Sequence, residues 1–278
     1  MRTPKWSVII CSINAAKFAQ VTQCYERLLA GRSHEIIGIH DAASLCEGYN
    51  RGIAQAQGEV LVFSHDDIII LDAPLGTRFA DKVEQRLDNH ALLGFAGTTE
   101  VRDAHWWAAG PKSQRGAIAH AAPDARMLSL FVYGVGASAV DRVQAIDGLC
   151  MIAHRRAVDA VTFDAMHFDG FHLYDMDFSY RVHLAGLGVA VMSDVPIIHM
   201  SSGGFDTVWQ HYRERFLHKH AVSLGLDPDV PIPALQPLNA RVADFQSPAE
   251  LLAAWQPGLL RRATIALLKS TSSFPEAT

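Results

Sequence analysis

What this 278-residue chain has little of narrows it first. Its four cysteines, Cys11, Cys24, Cys46 and Cys150, are scattered with no C-x-x-C pair. Such spacing suits a reducing compartment and supplies no thiolate zinc site. Lys and Arg total 24 against 29 Asp and Glu, a formal net charge of −5. That balance gives no global pull toward nucleic acid or an anionic membrane, so phosphate on any ligand must be met locally. No apolar run approaches the roughly 18 residues of a membrane-spanning helix. The run WSVIIC after Arg2 and Lys5 is too short for a signal-peptide core and reads as a first strand. The pattern G-x-x-x-x-G-K-[ST] is missing, which removes P-loop phosphotransferases, and there is no internal repeat. The expected location is the cytosol.

What is there is an ordinary globular composition, 49% hydrophobic and 19% charged, enough for a sizeable core. The short β-branched runs WSVIIC (6–11) and EIIGIH (35–40) flank a helical stretch, 16–30, with Phe18, Val21, Tyr25 and Leu28 on one face. A second helix over 44–57 stops at Gly58, and VLVF follows at once. Strands alternating with helices predict a doubly wound, mostly parallel sheet flanked by helices, whose ligands bind at the carboxyl ends of the strands. Residues 79–93 read as a further helix and LLGFAG as a strand. The span 98–126 reads as a long functional loop, 127–134 and the segment around DGLCMIAHR as strand material. A helix is expected from Tyr174 to Ala185, strands at VAVM and VPIIH, and an amphipathic helix marked by Phe205, Trp209, Tyr212 and Phe216. Its basic residues Arg213, Arg215 and Lys219 read as a solvated face, with a diphosphate or a membrane surface as alternatives. The proline-punctuated DPDVPIPALQP (227–237) divides a main domain, 1–225, from a C-terminal extension, 226–278. In that extension Ser247-Pro248-Ala249-Glu250 is a helix-starting capping box, and two short helices broken at Pro257-Gly258 are expected.

Within GEVLVFSHDDIIIL, a histidine and two carboxylates interrupt the most apolar region of the chain. Unpaired buried carboxylates cost several kcal/mol or more, so these groups need partners, protons, a metal or an exposed strand end. Coming straight after VLVF, His65, Asp66 and Asp67 fall where a doubly wound sheet has its binding crevice. Asp175, Asp177 and His199 also fall at expected helix starts or strand ends. Oxygen ligands with one imidazole suit Mg²⁺ or Mn²⁺ better than structural zinc. Each group taken alone has a plainer reading: Asp66 and Asp67 as loop acids, Asp175 as a carboxylate at a helix N-terminus, His199 as a hydrogen-bonded structural histidine. On a helix Asp175 and Asp177 point about 200° apart, so they cannot share one task.

Asn50-x-Gly52-x-x-x-Ala56-x-Gly58-Glu59-x-Leu61-x-Phe63-x-His65-x-Asp67 resembles the segment leading into the D-x-D motif of family 2 glycosyltransferases, which have the GT-A fold. Asp147-Gly148 with Arg155-Arg156, then Tyr174-Asp175-x-Asp177-Phe178-x-x-Arg181, resemble that family's acceptor-side glycine segment and E-D-x-D helix. With H-x-D for D-x-D and Y-D for E-D, the chain is most similar to the glycosyltransferase-like group related to a streptomycin-biosynthesis protein. The resemblance spans about residues 6–200. It implies a metal-dependent, hexosyltransferase-like enzyme that moves sugar from a UDP- or GDP-sugar donor to a hydroxyl on a glycan, lipid-linked or small-molecule acceptor, with inversion. It further implies Mn²⁺ or Mg²⁺ held by Asp67 and His199, with His65 in the place of the first acid, and Asp175 as the base. Ser12, Asn14, His40, Asp41, Asn50, His65 and Asp66 would line the nucleotide-sugar side, and Asp147, Gly148 and Asp177 the acceptor side. The family's acid context at the end of strand two is His40-Asp41-Ala42-Ala43 here, a departure at the base contact. Trp106 and Trp107 suit an acceptor platform, since sugar rings stack on indoles, or a place in the core.

Several competing classes are weaker. Gly134-Val135-Gly136-Ala137-Ser138-Ala139 matches a dinucleotide fingerprint but lacks room for the helix that motif needs. A sugar-nucleotide pyrophosphorylase needs a Gly-rich basic loop that CSINAAKF does not provide. A metal-dependent phosphohydrolase needs more converging ligands than this chain offers at ligand spacing. A non-catalytic sugar-nucleotide binder of the same fold stays open. The cationic stretch LLRRATIALLK (259–269) could touch the inner face of a membrane, though packing on the domain suits it better.

Overall fold

A computed structural model describes residues 5–72, 78–110, 112–122, 127–134, 142–201, 204–226 and 241–255. The 227–237 linker, 257–269 and most of the 134–139 glycine segment lie outside them. In chain order the elements are β1 (Trp6–Cys11), α1 (Ala15–Leu28), β2 (His34–Ile39), α2 (Leu45–Gln55), β3 (Val60–Ser64), β4 (Ile68–Ile70) and α3 (Phe79–Leu87). β5 (Leu92–Gly94), β6 (Ala96–Thr98), β7 (Gln114–Ala121), β8 (Leu128–Gly134), β9 (Ala145–Ile146), β10 (Cys150–His154) and α4 (Arg155–Ala160) form the middle of the chain. Then come α5 (Tyr174–Leu184), β11 (Val189–Val191), β12 (Ile197–His199), α6 (Thr207–Leu224), β13 (Arg241–Phe245) and α7 (Pro248–Ala254).

The fold is the expected α/β one, with sheets flanked by helices. The first sheet runs β11-β5-β10-β3-β1-β2 and is parallel except at β10, which lies antiparallel to both neighbours. β1 and β3 are central, so Val8, Ile9, Ile10, Leu61, Val62 and Phe63 are buried on both faces. That explains why these strands are continuously apolar rather than alternating. The second sheet, β13-β8-β7-β12-β4 with β6 and β9 beside it, is mostly antiparallel. Only the β12–β7 pair in it is parallel. Antiparallel strands tolerate short connections, and β7 and β8 are close in sequence. β7 lies inside the span expected to be a loop. Its alanines and glycine give it weak strand propensity, and pairing with β8, β6 and β12 decides the outcome instead.

The C-terminal extension joins the second sheet. β13 pairs with β8, and Phe245 and Leu251 pack with Leu128, Leu130, Val132 and Ile198. The expected helix start is present: the Ser247 hydroxyl accepts from Glu250 N at 3.2 Å and the Glu250 carboxylate from Gln246 N at 2.8 Å. Among the described residues no helix is long and apolar enough to cross a membrane. The four cysteines are free.

Candidate active site

The polar interruption in GEVLVFSHDDIIIL is the point where the chain leaves one sheet for the other. β3 ends at Ser64 in the first sheet, and β4 begins at Ile68 in the second. His65, Asp66 and Asp67 occupy the step, at the carboxyl end of β3. Backbone bonds fix it: His65 N donates to Leu149 O at 3.0 Å, and Met200 N to Asp67 O at 2.8 Å. Because β12 runs antiparallel to β4 with His199 opposite Ile68, the end of β12 delivers His199 to the same place.

There His199 Nε2 stands 3.3 Å from Asp67 Oδ1, and His65 Nδ1 3.5 Å from His199 Nε2. One ligand atom from each of the three residues falls within 4.8 Å of the others. Burial alone would raise the Asp67 carboxyl, but His199, the Ser201 hydroxyl and His65 outweigh it and hold the group below the usual carboxylate range. His65 is shifted down, by burial first and then by His199. Its other nitrogen, Nε2, lies 2.6 Å from the Tyr174 hydroxyl, which donates its proton to Gly148 O at 3.1 Å. A proton donated from His65 Nε2 to Tyr174 is the arrangement consistent with that bond. The Nδ1 lone pair then faces Asp67 and His199, the tautomer a metal ligand needs. Two imidazoles and one carboxylate fit a divalent first-row cation such as Mn²⁺ better than Mg²⁺, which prefers oxygen.

On the same side, the Ser12 hydroxyl donates to Asp66 Oδ2 at 2.6 Å. Lys17 Nζ lies 3.7 Å from Asp67 and 4.0 Å from Asp66. Lys17 had no signal in the sequence, where it is one more polar residue on an amphipathic helix.

Asp175 opens onto the cavity from the first turn of α5. Its carboxyl is raised to about 7, by burial first and by the Asp147 carboxylate second, with backbone N–H groups partly opposing. Asp147 accepts from Trp106 Nε1 at 3.1 Å and from Leu149 N at 3.0 Å. Gly148 must lack a side chain, because a Cβ there would meet the Tyr174 ring and come within 2.7 Å of Asp175 Cβ. Leu173 enters α5 at φ 59° with no side-chain cap, a conformation that costs a leucine about 1 kcal/mol or more.

His65, Tyr174, Asp175, His199, Asp147 and Trp106 all border one cavity of about 460 Å³. Trp107 also borders it, half-buried, while Trp106 is 4% exposed, so the two indoles serve both core and cavity wall. His105, His120, Phe131, Tyr133, Phe205 and Trp209 complete much of the wall. Sequence reading missed them because they come from β7, β8, the 98–110 segment, the residue before the α6 cap and α6 itself, with no shared motif; Phe205, expected on that helix, lies just outside it.

Other expected site residues are not brought to that cavity. Asn14 caps α1, its Oδ1 accepting from Ala16 N and Lys17 N at 3.0 and 3.1 Å. His40 is exposed and donates from Nδ1 to Ser12 O at 2.8 Å. Asp41 is exposed and accepts from Arg51 at 2.8 Å. Asn50 is used up on the backbone of Phe163, donating to its O at 2.8 Å and accepting from its N at 3.1 Å. Asp177, 1% exposed, faces away from the cavity. It accepts from Arg181 and His220 at 2.8 Å and pairs with Lys219 at 2.6 Å, which ties α5 to α6. The basic residues of α6 are likewise engaged rather than solvated: Arg213 donates to the buried Asp103 at 2.8 Å and Arg215 to Asp169 at 2.6 Å.

The mostly parallel first sheet thus carries a crevice at the carboxyl end of β3, with an acid–imidazole cluster on one side and a raised carboxyl on the other. The chain belongs to the glycosyltransferase-like family whose model it matches over residues 7–220. No curated protein matches it. Among solved structures it is similar to the mannosyltransferase PcManGT from Pyrobaculum calidifontis in complex with GDP-Man and Mn²⁺, at 11% identity and a TM-score of 0.46, covering 100% of this chain and 77% of that one. It is also similar to GalNAc-T7 with UDP, GalNAc and Mn²⁺, at 8% identity and a TM-score of 0.43, covering 80% of this chain and 57% of that one.

Proposed function

We propose that the protein is an inverting glycosyltransferase, transferring a sugar from a UDP- or GDP-sugar to an acceptor hydroxyl. The observation that supports this most is that Asp175, with its carboxyl raised to about 7, opens onto the same cavity as His65 and His199. A base needs a pKa near working pH, and desolvation beside Asp147 supplies it. As a carboxylate, Asp175 takes the proton from the acceptor hydroxyl while that oxygen attacks the anomeric carbon. The bond from that carbon to the diphosphate oxygen breaks, its electron pair leaving with the diphosphate. A single displacement of this kind inverts the anomeric centre.

Asp67, His199 and His65 would hold a divalent cation, Mn²⁺ or Mg²⁺, and when bound it would neutralise charge on the leaving diphosphate. Lys17 adds an ammonium on the same side. Ser12, Asp66, His40 and Asp41 would lie along the nucleotide, and Asp147, Gly148, Trp106 and Trp107 along the acceptor. On its H-x-D and Y-D motifs we also assign the chain to the group related to a streptomycin-biosynthesis protein, with residues 1–225 as the catalytic unit, working in the cytosol. Thermal-shift titration with UDP and GDP, each with and without Mn²⁺, tests the donor side. Saturable stabilisation that needs the metal is expected. If neither nucleotide raises the melting temperature under any metal condition, the donor assignment is lost.

A further inference from the structure

Resting on the transferase reading, we infer that the acceptor is a neutral molecule whose hydroxyl sits on a flat apolar body, and that neither a phosphate-linked lipid nor an oligosaccharide is taken. Three independent observations lead there. The first concerns charge: among the described residues lining the 460 Å³ cavity there is no Lys or Arg, while two carboxylates, Asp147 and Asp175, are present. A phosphate entering beside Asp175 would meet negative charge with no Lys or Arg to offset it, and a cation held by Asp67, His65 and His199 would already be taken up by the donor diphosphate.

The second concerns hydrogen bonding. Oligosaccharides present hydroxyls on every edge and need many polar side chains to replace water. The described lining holds no Asn, Gln, Glu, Ser or Thr, and about half of the polar side chains it does hold are committed. Asp147 is taken by Trp106 and Leu149, His65 and Tyr174 by each other and by Gly148, and His120 by Ser201 O at 3.2 Å. Asp175 is left to meet the hydroxyl that reacts, and the polar atoms that remain beside it, on His105, His172, Tyr133 and the Trp107 and Trp209 indoles, sit on aromatic rings.

The third concerns shape. His105 stacks near Trp209 with centroids 3.9 Å apart, Trp107 meets Phe205 edge-on at 5.3 Å, and Trp106 meets Tyr133 edge-on at 4.7 Å. These rings pack against one another at tilted and edge-on angles and give the cavity a wall of aromatic faces and edges. At the mouth, Phe171 and Phe205 remain 57% and 51% exposed. Apolar surface left in water at the rim of an apolar cavity gains most when a planar apolar ligand covers it. The volume lies within the range of sites for small organic ligands.

Calorimetric titration of the full chain with 2-naphthol, 2-naphthyl phosphate and maltotriose tests this, with and without saturating UDP and Mn²⁺. Saturable 2-naphthol binding is expected, about tenfold or more tighter than 2-naphthyl phosphate, with maltotriose weaker still. Phe205→Ala and Phe171→Ala change exposed rim residues, so folding is retained. Each should weaken 2-naphthol about threefold to tenfold while leaving the thermal shift with nucleotide unchanged. The inference is overturned if 2-naphthol does not saturate, if the phosphate or maltotriose binds equally well, or if both rim variants bind 2-naphthol as the parent does. Nucleotide stabilisation failing alongside intact 2-naphthol binding would remove the donor reading and spare the cavity; the reverse pattern would do the opposite.

Discussion

The two sides of the crevice are built in opposite ways. On the proposed donor side, the groups come from one step between sheets, His65 to Asp67, completed by His199 at a paired strand end. They are polar, within 4.8 Å of one another and set by backbone register. On the proposed acceptor side, the wall is aromatic and drawn from β7, β8, the 98–110 segment, Phe205 and α6, with ring packing and the Arg213–Asp103 pair tying α6 to the 98–110 segment. One side is tuned by charge and the other by shape. Substitutions should therefore fail differently on each, and α5, which delivers Asp175 between them, should be the most sensitive element.

The largest effect is expected at that junction. Asp175→Asn should lower transfer about a thousandfold, within the usual range for loss of a positioned base, with nucleotide stabilisation retained. In the parent enzyme, transfer should rise with pH through about 7, because the base works as the carboxylate. Stability carries the opposite sign. A carboxyl raised above its ordinary 3.8 binds its proton more tightly in the folded state, so stability falls as pH climbs from about 4 to about 7. The Asn variant escapes that loss, and its melting temperature should exceed the parent's by more at pH 8 than at pH 4. Equal transfer in parent and variant, or a melting difference that shrinks with rising pH, would remove Asp175 from the role.

How much of this was readable beforehand follows from the same contrast. The alternation of apolar runs and helices exposed the first sheet, since buried parallel strands must be apolar throughout. His65, Asp67 and His199 stand out in the sequence because polar groups at strand ends break an apolar pattern; the fold brings these three within reach of one another and opens Asp175, from the first turn of α5, onto the same cavity as His65 and His199. β7 went unseen because alanines carry no strand signal and its pairing is long-range. The aromatic wall went largely unseen because isolated Trp, His and Phe residues look like core in any sequence. Asn50 and Asp177 show the converse case. Both sit in motif positions, yet Asn50 satisfies the Phe163 backbone and Asp177 an ionic cluster, which polar residues in a buried place must do.

Asp177→Ala sharpens that distinction. It leaves Lys219, Arg181 and His220 around a missing carboxylate, and breaking such a buried cluster costs about 3 kcal/mol. Chemical denaturation should register the loss, while 2-naphthol and nucleotide affinities at low temperature stay near the parent's. A large selective loss of acceptor affinity with unchanged stability would return Asp177 to the acceptor side.

Tyr174→Phe should act next most strongly, and on the donor side alone. Without the hydroxyl, His65 Nε2 loses its acceptor at 2.6 Å, and nothing then keeps the Nδ1 lone pair aimed at Asp67 and His199. Removing a partner of this kind weakens metal binding about tenfold or more. Titration of Mn²⁺ followed by electron paramagnetic resonance reads the loss directly, with no need for turnover. Unchanged Mn²⁺ affinity would mean that the tautomer is set elsewhere.

The smallest effect, at Lys17, has the most informative sign. Its ammonium is about half exposed and 3.7 Å from Asp67, so as a salt bridge it adds little stability, about 0 to 1 kcal/mol. Its removal acts in two directions. Taking a positive charge away from Asp66 and Asp67 should tighten Mn²⁺ alone by about twofold to threefold, because the ammonium competes for the same carboxylates. If Lys17 also meets the diphosphate, Lys17→Ala should at the same time weaken UDP in the presence of Mn²⁺, and the difference should fade as salt is raised. Opposite shifts for metal and nucleotide would make Lys17 a donor contact. Tighter metal with unchanged nucleotide would leave it only a neighbour of the carboxylates, and the charge on the leaving diphosphate would then fall to the Asp67–His199–His65 cluster alone.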